Sequence, residues 1–343
     1  MKQHLNTLFV TTEGAYVAKQ GEAVVVRVND EPRLRLPLHN IGGIVCFGNV
    51  SCSPWLMGAC AENGIAISFL TSNGRFLAAV NGYAPGNVLL RREQYRRADD
   101  TAATLSIVRN IVAAKIANAR TVLLRGARDR AEAPGVADLQ RAAARLAACA
   151  EQVRAAASAD LARGIEGEAA NLYFGAFNHL ITSPHGEFVL KGRNRRPPLD
   201  PINALLSFLY TMLAHDARAA GEVAGLDAAV GFLHRDRPGR PSLALDLMEE
   251  FRPFLVDRLV LSLINRQQVK PGGFRVNEAG GVEMDDDTRR VVLTAYQARK
   301  QDTLTHPFLG EEVTVGLLVH LQARLLARHL RGDLDAYPPF VWK

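Results

Sequence analysis

The stretch Tyr83-Ala84-Pro85-Gly86 separates two parts of the chain that have different sequence patterns. Before it, short apolar or alternating runs separated by Gly, Asn and Asp are typical of β-strands. After it, long segments rich in Ala, Leu and Arg contain few helix breakers and predict helices. The predicted fold class is α+β: a small N-terminal β-rich domain at 1–85, a linker at 86–100, and a larger all-α C-terminal domain at 101–343 that carries a short hairpin.

Boundary residues place the individual elements. Ser53 suits a helix N-cap, Pro54 suits the first helical position, and Gly64 can end that single helix of the N-terminal part. The predicted strands are Thr7 to Thr11, Ala23 to Val28, Arg33 to Leu38, Ile44 to Phe47, Ile65 to Leu70 and Phe76 to Val80, the last two joined by a hairpin turn at Asn73-Gly74. The predicted helices include Trp55 to Asn63, Thr101 to Arg128, Val136 to Arg163 and about Gly167 to Leu180, and the C-terminal hairpin is predicted at 274–284.

Composition narrows the class of protein. No stretch reaches about 18 uninterrupted apolar residues, which argues against a membrane span. The first residues contain no secretory apolar segment, so a cytoplasmic protein is expected. The four cysteines have neither zinc-ligand spacing nor the density of a disulfide scaffold. The net charge of +6 favours an anionic partner.

Three separated stretches of the second half carry acidic or imidazole side chains. They contain Glu166 (in Gly164-Ile165-Glu166-Gly167), His234 (in Gly231-Phe232-Leu233-His234), and Asp246, Glu249 and Glu250 (in 245–251). Two carboxylates and one imidazole can hold Mg²⁺ or Mn²⁺ and leave coordination positions open. In a basic chain, such a site points first to chemistry on phosphodiesters.

Each of these residues also has a structural interpretation. Glu166 is predicted just before a helix, where the helix dipole alone could favour a carboxylate. It also lies on the same face as Ala170, Tyr173 and Phe177, and a carboxylate buried on that apolar face requires a partner. Gly164 and Gly167 would let the backbone approach closely. The acidic positions 246, 249 and 250 would lie on one face of a helix, and such a face is usually solvated. Alternatively, these residues supply one metal ligand and one carboxylate that supports it. A lone histidine such as His234 is more often a hydrogen-bonded structural residue.

Basic loops flank the candidate site in the sequence. Arginine pairs with phosphate in a bidentate way, so these loops are candidates for gripping a nucleic-acid backbone, although such runs are commonly only solvated. The candidate residues are Arg193, Arg195 and Arg196 in one loop and Arg235, Arg237 and Arg240 in another, with a weaker patch at 91–97.

A competing motif is His215-Asp216, the dyad of HD-type metal phosphohydrolases. That family also needs an upstream histidine, which His179 or His185 could supply, and a distant downstream aspartate, which nothing in the sequence marks.

An ordered set of motifs resembles the CRISPR-associated integrase of spacer acquisition (the "Cas-one" family), in particular its type I-C branch. The resemblance covers nearly the whole chain. The motifs are Gly164-Ile165-Glu166-Gly167, the run Arg193 to Ser207, Gly231-Phe232-Leu233-His234, the run Leu245 to Pro253, Gln322-Ala323-Arg324 and Tyr337-Pro338-Pro339-Phe340.

The resemblance implies a metal-dependent DNA endonuclease and strand transferase of antiviral defence. Such proteins form homodimers through the N-terminal part and assemble with a companion "Cas-two" subunit on double-stranded DNA. The metal ligands implied are Glu166, His234 and Glu249, with Asp246 supporting them; position 249 departs from much of the family, which has Asp there. Tyr210 matches a position close to DNA, and Arg240 matches a basic position lining the site.

The resemblance also implies the reaction. The 3′-hydroxyl of a captured fragment attacks a phosphodiester of the CRISPR repeat, with Mg²⁺ or Mn²⁺ as cofactor. Two alternatives remain: a non-catalytic DNA-binding scaffold with structural acidic residues, and an HD-type phosphohydrolase that depends on His215 and Asp216.

Overall fold

The structure is a computed structural model that describes residues 6–72, 76–80, 88–183, 188–194 and 197–342. The predicted turn at Asn73-Gly74, the dividing stretch 83–86, His185, Arg195 and Arg196 lie outside these residues. The chain forms two compact units. The smaller unit contains 1–86 together with 297–302 and 314–317, and the larger unit contains the remainder.

The smaller unit is built on two four-stranded sheets. Its elements are β1 (Thr7–Val10), β2 (Tyr16–Gln20), β3 (Ala23–Val28), β4 (Glu31–Pro37), β5 (Gly43–Phe47), β6 (Ser51–Cys52), α1 (Pro54–Glu62), β7 (Ala66–Leu70) and β8 (Phe76–Val80). One sheet has the order β1-β5-β7-β8, with β1, β5 and β7 parallel and β8 antiparallel to β7. The other has the order β4-β3-β2-β6.

The helix of this unit begins and ends as the sequence predicts. The Ser53 hydroxyl accepts a hydrogen bond from the backbone N–H of Leu56, Pro54 occupies the first turn, and Gly64 follows with φ of +68°. Leu56 and Cys60 face a core that includes Val17, Cys46 and Cys52. All four cysteines of the chain, including Cys149 in the larger unit, are buried free thiols. Strands β2 and β6 were not predicted, because β2 carries one fully buried apolar residue and β6 is two residues long.

Two short segments from far along the chain complete the smaller unit. Lys300 is buried, and its ammonium donates a hydrogen bond to the Thr7 hydroxyl at 3.3 Å. The backbone N–H of Val315 donates to the Asp302 carbonyl at 2.8 Å, which joins the two returning segments. No local sequence pattern predicts this return.

The rest of the chain is largely helical, and the mixed α+β class is confirmed. Its elements are α2 (Val88–Asp99), α3 (Thr101–Asp129), α4 (Val136–Ala155), α5 (Ala159–Ala176), α6 (Pro201–Val223), α7 (Ser242–Glu249), a π-helical turn (Arg252–Asp257), α8 (Arg258–Asn265), β9 (Phe274–Val276), β10 (Val282–Met284), α9 (Asp286–Gln301), β11 (Thr303–Thr305), β12 (Glu312–Thr314) and α10 (Leu318–Leu330). Short 3₁₀ turns lie at Leu38–Asn40, Phe177–Leu180, Pro271–Gly273 and Val315–Leu317. The predicted hairpin is present as β9–β10, and β11–β12 form a second hairpin that the sequence analysis missed.

Two helix boundaries differ from the prediction. The segment expected to be a linker forms helix α2, in which the buried Gln94 side chain donates hydrogen bonds to the carbonyls of Asp227 and Val230. Helix α4 ends at Ala155, and Ser158 caps a new helix by accepting from the N–H of Leu161. Glu166 therefore lies in the middle of α5, so the interpretation as an acidic residue at a helix start is wrong.

Helix α3 is the central element of the larger unit and packs against α4 and α5. Val108, Val112 and Ile116, which are spaced four residues apart on one face of the helix, are buried. Within the described ranges, no helix is both long and apolar enough to cross a membrane.

Candidate metal centre

Three helices of the larger unit bring charged side chains to one point. Lys115 comes from α3, Glu166 from α5, and Glu249 from the last turn of α7. The Lys115 ammonium forms ion pairs with both carboxylates, contacting Glu166 Oε1 directly and lying 2.6 Å from Glu249 Oε2. One cation thus holds together two carboxylates that come from helices distant in sequence.

The loop that precedes α7 brings His234 to the same point. Asp246 on α7 is fully buried, and its Oδ2 accepts the backbone N–H groups of Phe232 at 2.6 Å and Leu233 at 3.0 Å. Its Oδ1 accepts the backbone N–H of His234 at 2.9 Å and lies 2.7 Å from His234 Nδ1. One carboxylate therefore shapes the loop and orients the imidazole.

This contact determines which imidazole nitrogen is available. An ionised carboxylate only accepts hydrogen bonds, so Nδ1 of His234 carries the proton that points at Asp246. In the neutral ring the lone pair then lies on Nε2, which is 3.9 Å from Glu249 Oε1. A ring with this tautomer, held by a carboxylate behind it, is the form in which histidine binds metals.

Close backbone approach was expected at Gly164 and Gly167, but the structure shows it at Gly231 instead. A Cβ on Gly231 would lie 2.9 Å from both Asp246 Oδ2 and the backbone carbon of Ser242, so a side chain there would displace the carboxylate. A Cβ on Gly164 or on Gly167 would meet no atom within 4 Å. The expectation was therefore wrong for the two glycines that flank Glu166.

Glu249 is buried and remains ionised because cations surround it. Its side chain is 5% exposed, and Oε1 lies 2.9 Å from Arg252 Nε. Burial alone would raise the pKa of Glu249, but Arg252 and Lys115 hold it below the usual value. Arg252 belongs to the π-helical turn, where Pro253 removes a backbone donor and favours a departure from regular α-helix.

The acidic residues Asp246, Glu249 and Glu250 have different surroundings, although all three are buried rather than solvated. Asp246 and Glu249 belong to the candidate centre. Glu250 instead accepts hydrogen bonds from the Tyr337 hydroxyl at 2.6 Å and from the Phe340 N–H at 2.7 Å. Burial raises the pKa of Glu250 to about 8 against the opposing effect of these donors. Glu250 anchors the C-terminal segment.

The donor set suits a hard divalent cation. Glu166 and Glu249 offer carboxylate oxygens, and His234 offers an imidazole nitrogen, which are ligand types that Mg²⁺ and Mn²⁺ accept. Among the described residues, no three His, Cys, Asp or Glu side chains already form a complete coordination group. In this structure the Lys115 ammonium takes the position between the two carboxylates. The donor atoms present are of the types that a divalent cation binds.

A cavity of about 690 Å³ opens beside Lys115 and Glu166. Its walls include the basic residues Lys191, Arg193 and Arg252. A second cavity of about 470 Å³ lies on the His234 side and includes Arg163 and Arg235. Basic walls next to buried carboxylates are suited to a phosphodiester backbone, because the cations bind phosphate while the carboxylates remain available at its edge.

Tyr210, predicted to lie close to DNA, is buried in the wall of the first cavity. Its ring lies between two guanidinium groups, 4.4 Å from that of Arg252 and 5.3 Å from that of Arg193. Its hydroxyl donates to Asp257 Oδ1 at 2.6 Å. The Tyr210 ring therefore contacts both Arg193 and Arg252, and Arg252 is the residue that pairs with Glu249.

The buried Asp257 makes stability depend on pH. Burial raises the pKa of Asp257 from 3.8 to about 6, although hydrogen bonds from the hydroxyls of Tyr210 and Tyr173 lower it. The folded protein therefore holds a proton that the unfolded chain loses between about pH 4 and pH 6. We expect wild type to lose on the order of 2 kcal/mol of unfolding free energy relative to Asp257→Asn across that window, measured by urea denaturation at pH 4 to 7.5.

Both proteins contain every other titratable group, so the contributions of those groups cancel in the difference between the two unfolding free energies. If wild type instead stays level with Asp257→Asn, or gains stability relative to it, as the pH rises from 4 to 7.5, Asp257 is ionised in the folded state.

The predicted basic residues occupy different positions. Arg193 is held by Asn203, whose Oδ1 accepts from Nη1 at 2.6 Å. Arg235 is exposed and pairs with Asp160 at 2.7 Å. Arg237 is exposed and Arg240 is half-buried, in the loop that follows His234. Their predicted contacts with DNA remain predictions.

The competing dyad is not part of this centre. Asp216 accepts a hydrogen bond from the Tyr296 hydroxyl at 2.7 Å, and neither His215 nor Asp216 lines either cavity.

Sequence reasoning missed Lys115 and Arg252. The available signals were that Lys115 is the one charged residue within the apolar segment 111–119, and that Arg252 follows Glu249 by three positions.

The chain is similar in sequence to known proteins over most of its length. Residues 8–298 match the family model of CRISPR associated protein Cas1. The chain is 54% identical, over the whole of both chains, to CRISPR-associated endonuclease Cas1 1 of Chlorobaculum tepidum. It is also 55% identical, again over the whole of both chains, to CRISPR-associated endonuclease Cas1 2 of Rhodospirillum rubrum.

Among solved structures, the chain resembles a casposase bound to its integration product. The TM-score is 0.84 at 22% identity, with 98% of this chain and 94% of that chain covered. At this identity the likeness shows the fold alone.

Proposed function

Because this chain belongs to the family of CRISPR associated protein Cas1, we propose that it is a metal-dependent DNA endonuclease and integrase. In this proposal it inserts short DNA fragments into a CRISPR array by attack of a 3′-hydroxyl on a repeat phosphodiester. The curated relatives are named endonucleases, which supports the nuclease class. The observation that carries the proposal is the meeting of Glu166, Glu249 and His234 beside a basic cavity.

The residues of the centre have separate tasks in this reaction. Glu166, Glu249 and His234 Nε2 would hold Mg²⁺ or Mn²⁺, which supplies a Lewis acid that activates a hydroxyl and offsets charge on the phosphate. Asp246 keeps the lone pair of His234 on Nε2. Arg252 keeps Glu249 ionised.

DNA is held by the basic groups around the centre. Lys191 and Arg193 in the first cavity, and Arg235, Arg237 and Arg240 beside His234, are placed to contact phosphates without reading sequence. One phosphodiester replaces another, so strand transfer needs no external energy source. With water as the nucleophile, the same centre would nick DNA.

Partners follow from the family and from the surface of the smaller unit. We propose a homodimer formed through that unit, assembled with a Cas2 companion on double-stranded DNA in the cytoplasm. One solved structure with the same fold is a chain of a Cas6-RT-Cas1–Cas2 complex, with a TM-score of 0.83 at 24% identity, covering 100% of this chain and 36% of that chain. Exposed apolar side chains on the smaller unit, Trp55, Phe76 and Leu77, are suited to a protein interface.

One observation favours a second candidate, the non-catalytic DNA-binding scaffold. Lys115 and Arg252 neutralise Glu166 and Glu249, so the cluster also has the composition of a structural ion-pair network. Such a protein would bind DNA without metal and break no strand.

Removal of the metal tests the proposal. A labelled short duplex is incubated with a supercoiled plasmid that carries a repeat, with the companion subunit, in Mn²⁺ or in chelator. We expect label to join the plasmid in Mn²⁺, joining to stop in chelator, and joining to return when Mn²⁺ is added in excess. Tight DNA binding with neither joining nor nicking would favour the scaffold, and joining in chelator would refute the metal requirement.

A further inference from the structure

We propose that Lys115 is a resident cation of the centre, which competes with the divalent ion for Glu166 and Glu249. This inference rests on the metal site of the proposed function and adds to it a residue that sets how tightly the ion binds. Lys115 would be a positioning residue, because it acts through the two carboxylates.

The first support is the geometry of the ammonium. Lys115 Nζ contacts one oxygen of Glu166 and lies 2.6 Å from one oxygen of Glu249, so it bridges the two carboxylates. A divalent ion held by both residues would lie in the position between the two carboxylates that the ammonium now takes. Both cations cannot occupy that position, so binding of one requires withdrawal of the other.

The second support is the charge balance. The carboxylates of Glu166 and Glu249 carry two negative charges, and Lys115 and Arg252 carry two positive charges in contact with them. A divalent ion added to this neutral cluster would leave two uncompensated positive charges, and withdrawal of Lys115 would reduce that excess to one.

The third support is the space next to Lys115. Its side chain is 18% exposed and lies in the wall of the cavity of about 690 Å³. Lysine carries its charge on a flexible four-carbon stem with rotatable donors, unlike the planar guanidinium of arginine. The ammonium can therefore leave the carboxylates and remain hydrated in the cavity, without entering the apolar core.

The test is Mn²⁺ binding to the full-length protein without DNA, measured by titration calorimetry at one pH. We expect Lys115→Met to bind Mn²⁺ roughly tenfold to a hundredfold more tightly than wild type, because a like charge near the ion is gone. Lys115→Arg keeps a cation and should retain the weak binding of wild type. Arg120→Met removes an exposed charge from the same helix and should behave as wild type.

A second measurement separates competition from a structural role. Without metal, Lys115→Met should melt at a lower temperature than wild type, because the two carboxylates lose their shared partner. With saturating Mn²⁺ that loss should disappear, so the metal-induced rise in Tm is larger in the variant. In the double variant Lys115→Met with Glu166→Gln, the gain in Mn²⁺ affinity should be lost, which places the ion at this centre.

Opposite results would overturn the inference in recognisable ways. A folded Lys115→Met protein that binds Mn²⁺ no more tightly than wild type would refute competition and leave the metal site standing. Absence of Mn²⁺ binding in wild type and in every variant would refute the metal site itself.

If Lys115→Met does not fold, amine labelling of the wild-type protein tests whether Mn²⁺ displaces Lys115. Mass spectrometry should show Lys115 becoming more reactive when Mn²⁺ is added, since the ammonium leaves its ion pairs. Unchanged reactivity of Lys115 under saturating Mn²⁺ would overturn the inference.

Discussion

Replacing His234 by alanine is expected to abolish both strand transfer and nicking while leaving the fold, the dimer and DNA binding intact. The side chain is 21% exposed at the rim of a cavity, so its removal creates no buried void. Its Nε2 is the one imidazole nitrogen directed at Glu249, so the centre loses its nitrogen donor. Metal-assisted stabilisation of the reacting phosphate is worth several kcal/mol, which corresponds to a loss of about a thousandfold in rate.

The measurement is the plasmid-joining assay in Mn²⁺, with circular dichroism and analytical ultracentrifugation on the same samples. The matched control is His215→Ala, which removes an imidazole outside the two cavities and should keep full activity. If the His215→Ala protein lost activity and the His234→Ala protein kept it, the results would favour the HD-type phosphohydrolase over the integrase. Strand transfer by a folded His234→Ala protein would remove His234 from the mechanism.

Asp246→Asn is expected to lower both stability and activity, although it changes one atom. Asp246 Oδ1 and Oδ2 each accept two contacts from the loop at 232–234, so the new amide NH₂ must face donor groups in either orientation. Loss of charge-assisted hydrogen bonds to a buried carboxylate costs about 2–3 kcal/mol.

The same substitution disturbs the imidazole of His234. If the amide NH₂ faces Nδ1, the ring must accept there and carry its proton on Nε2, where it can no longer bind a cation. Loss of such a supporting group lowers metal affinity or activity by about 10–100-fold. Urea denaturation, Mn²⁺ calorimetry and plasmid joining measure the three effects.

A matched variant in the same loop separates these effects from a change in net charge. Asp236 is exposed and makes one long contact, accepting the N–H of Gly231 at 3.4 Å, so Asp236→Asn should leave stability and joining close to wild type. Wild-type Mn²⁺ affinity in a stable Asp246→Asn protein would show that Asp246 does not orient His234.

The convergence of the site residues was predictable from their types. Carboxylates next to apolar runs must find partners when buried, and the described structure brings Glu166, Glu249 and His234 to one point with Asp246 behind them. Their role as metal ligands remains a prediction. Glu250 shows the limit of the helix pattern, because periodicity places it beside Glu249 but cannot tell which neighbouring segment it faces.

The features that were missed depend on tertiary contacts. A lone lysine in an apolar helix has the same local sequence whether it reaches solvent or two buried carboxylates, so Lys115 could not be assigned. The break at Ser158, which places Glu166 in mid-helix, is a single weak cap within an Ala-rich segment. Strand β2 pairs with β3 through a tight hairpin and with β6 on its other side, but only Val17 of its five residues is fully buried, so its sequence lacks a strand-like apolar pattern.

The discontinuity of the smaller unit affects how this protein can be dissected or recombined. A fragment that ends at residue 86 would lack the segments 297–302 and 314–317, and Thr7 would lose its contact with Lys300. The unit is therefore not a cassette that a single crossover can exchange between relatives. A functional chimera must take the N-terminal part and both returning segments from the same parent, so these three pieces are expected to be inherited together.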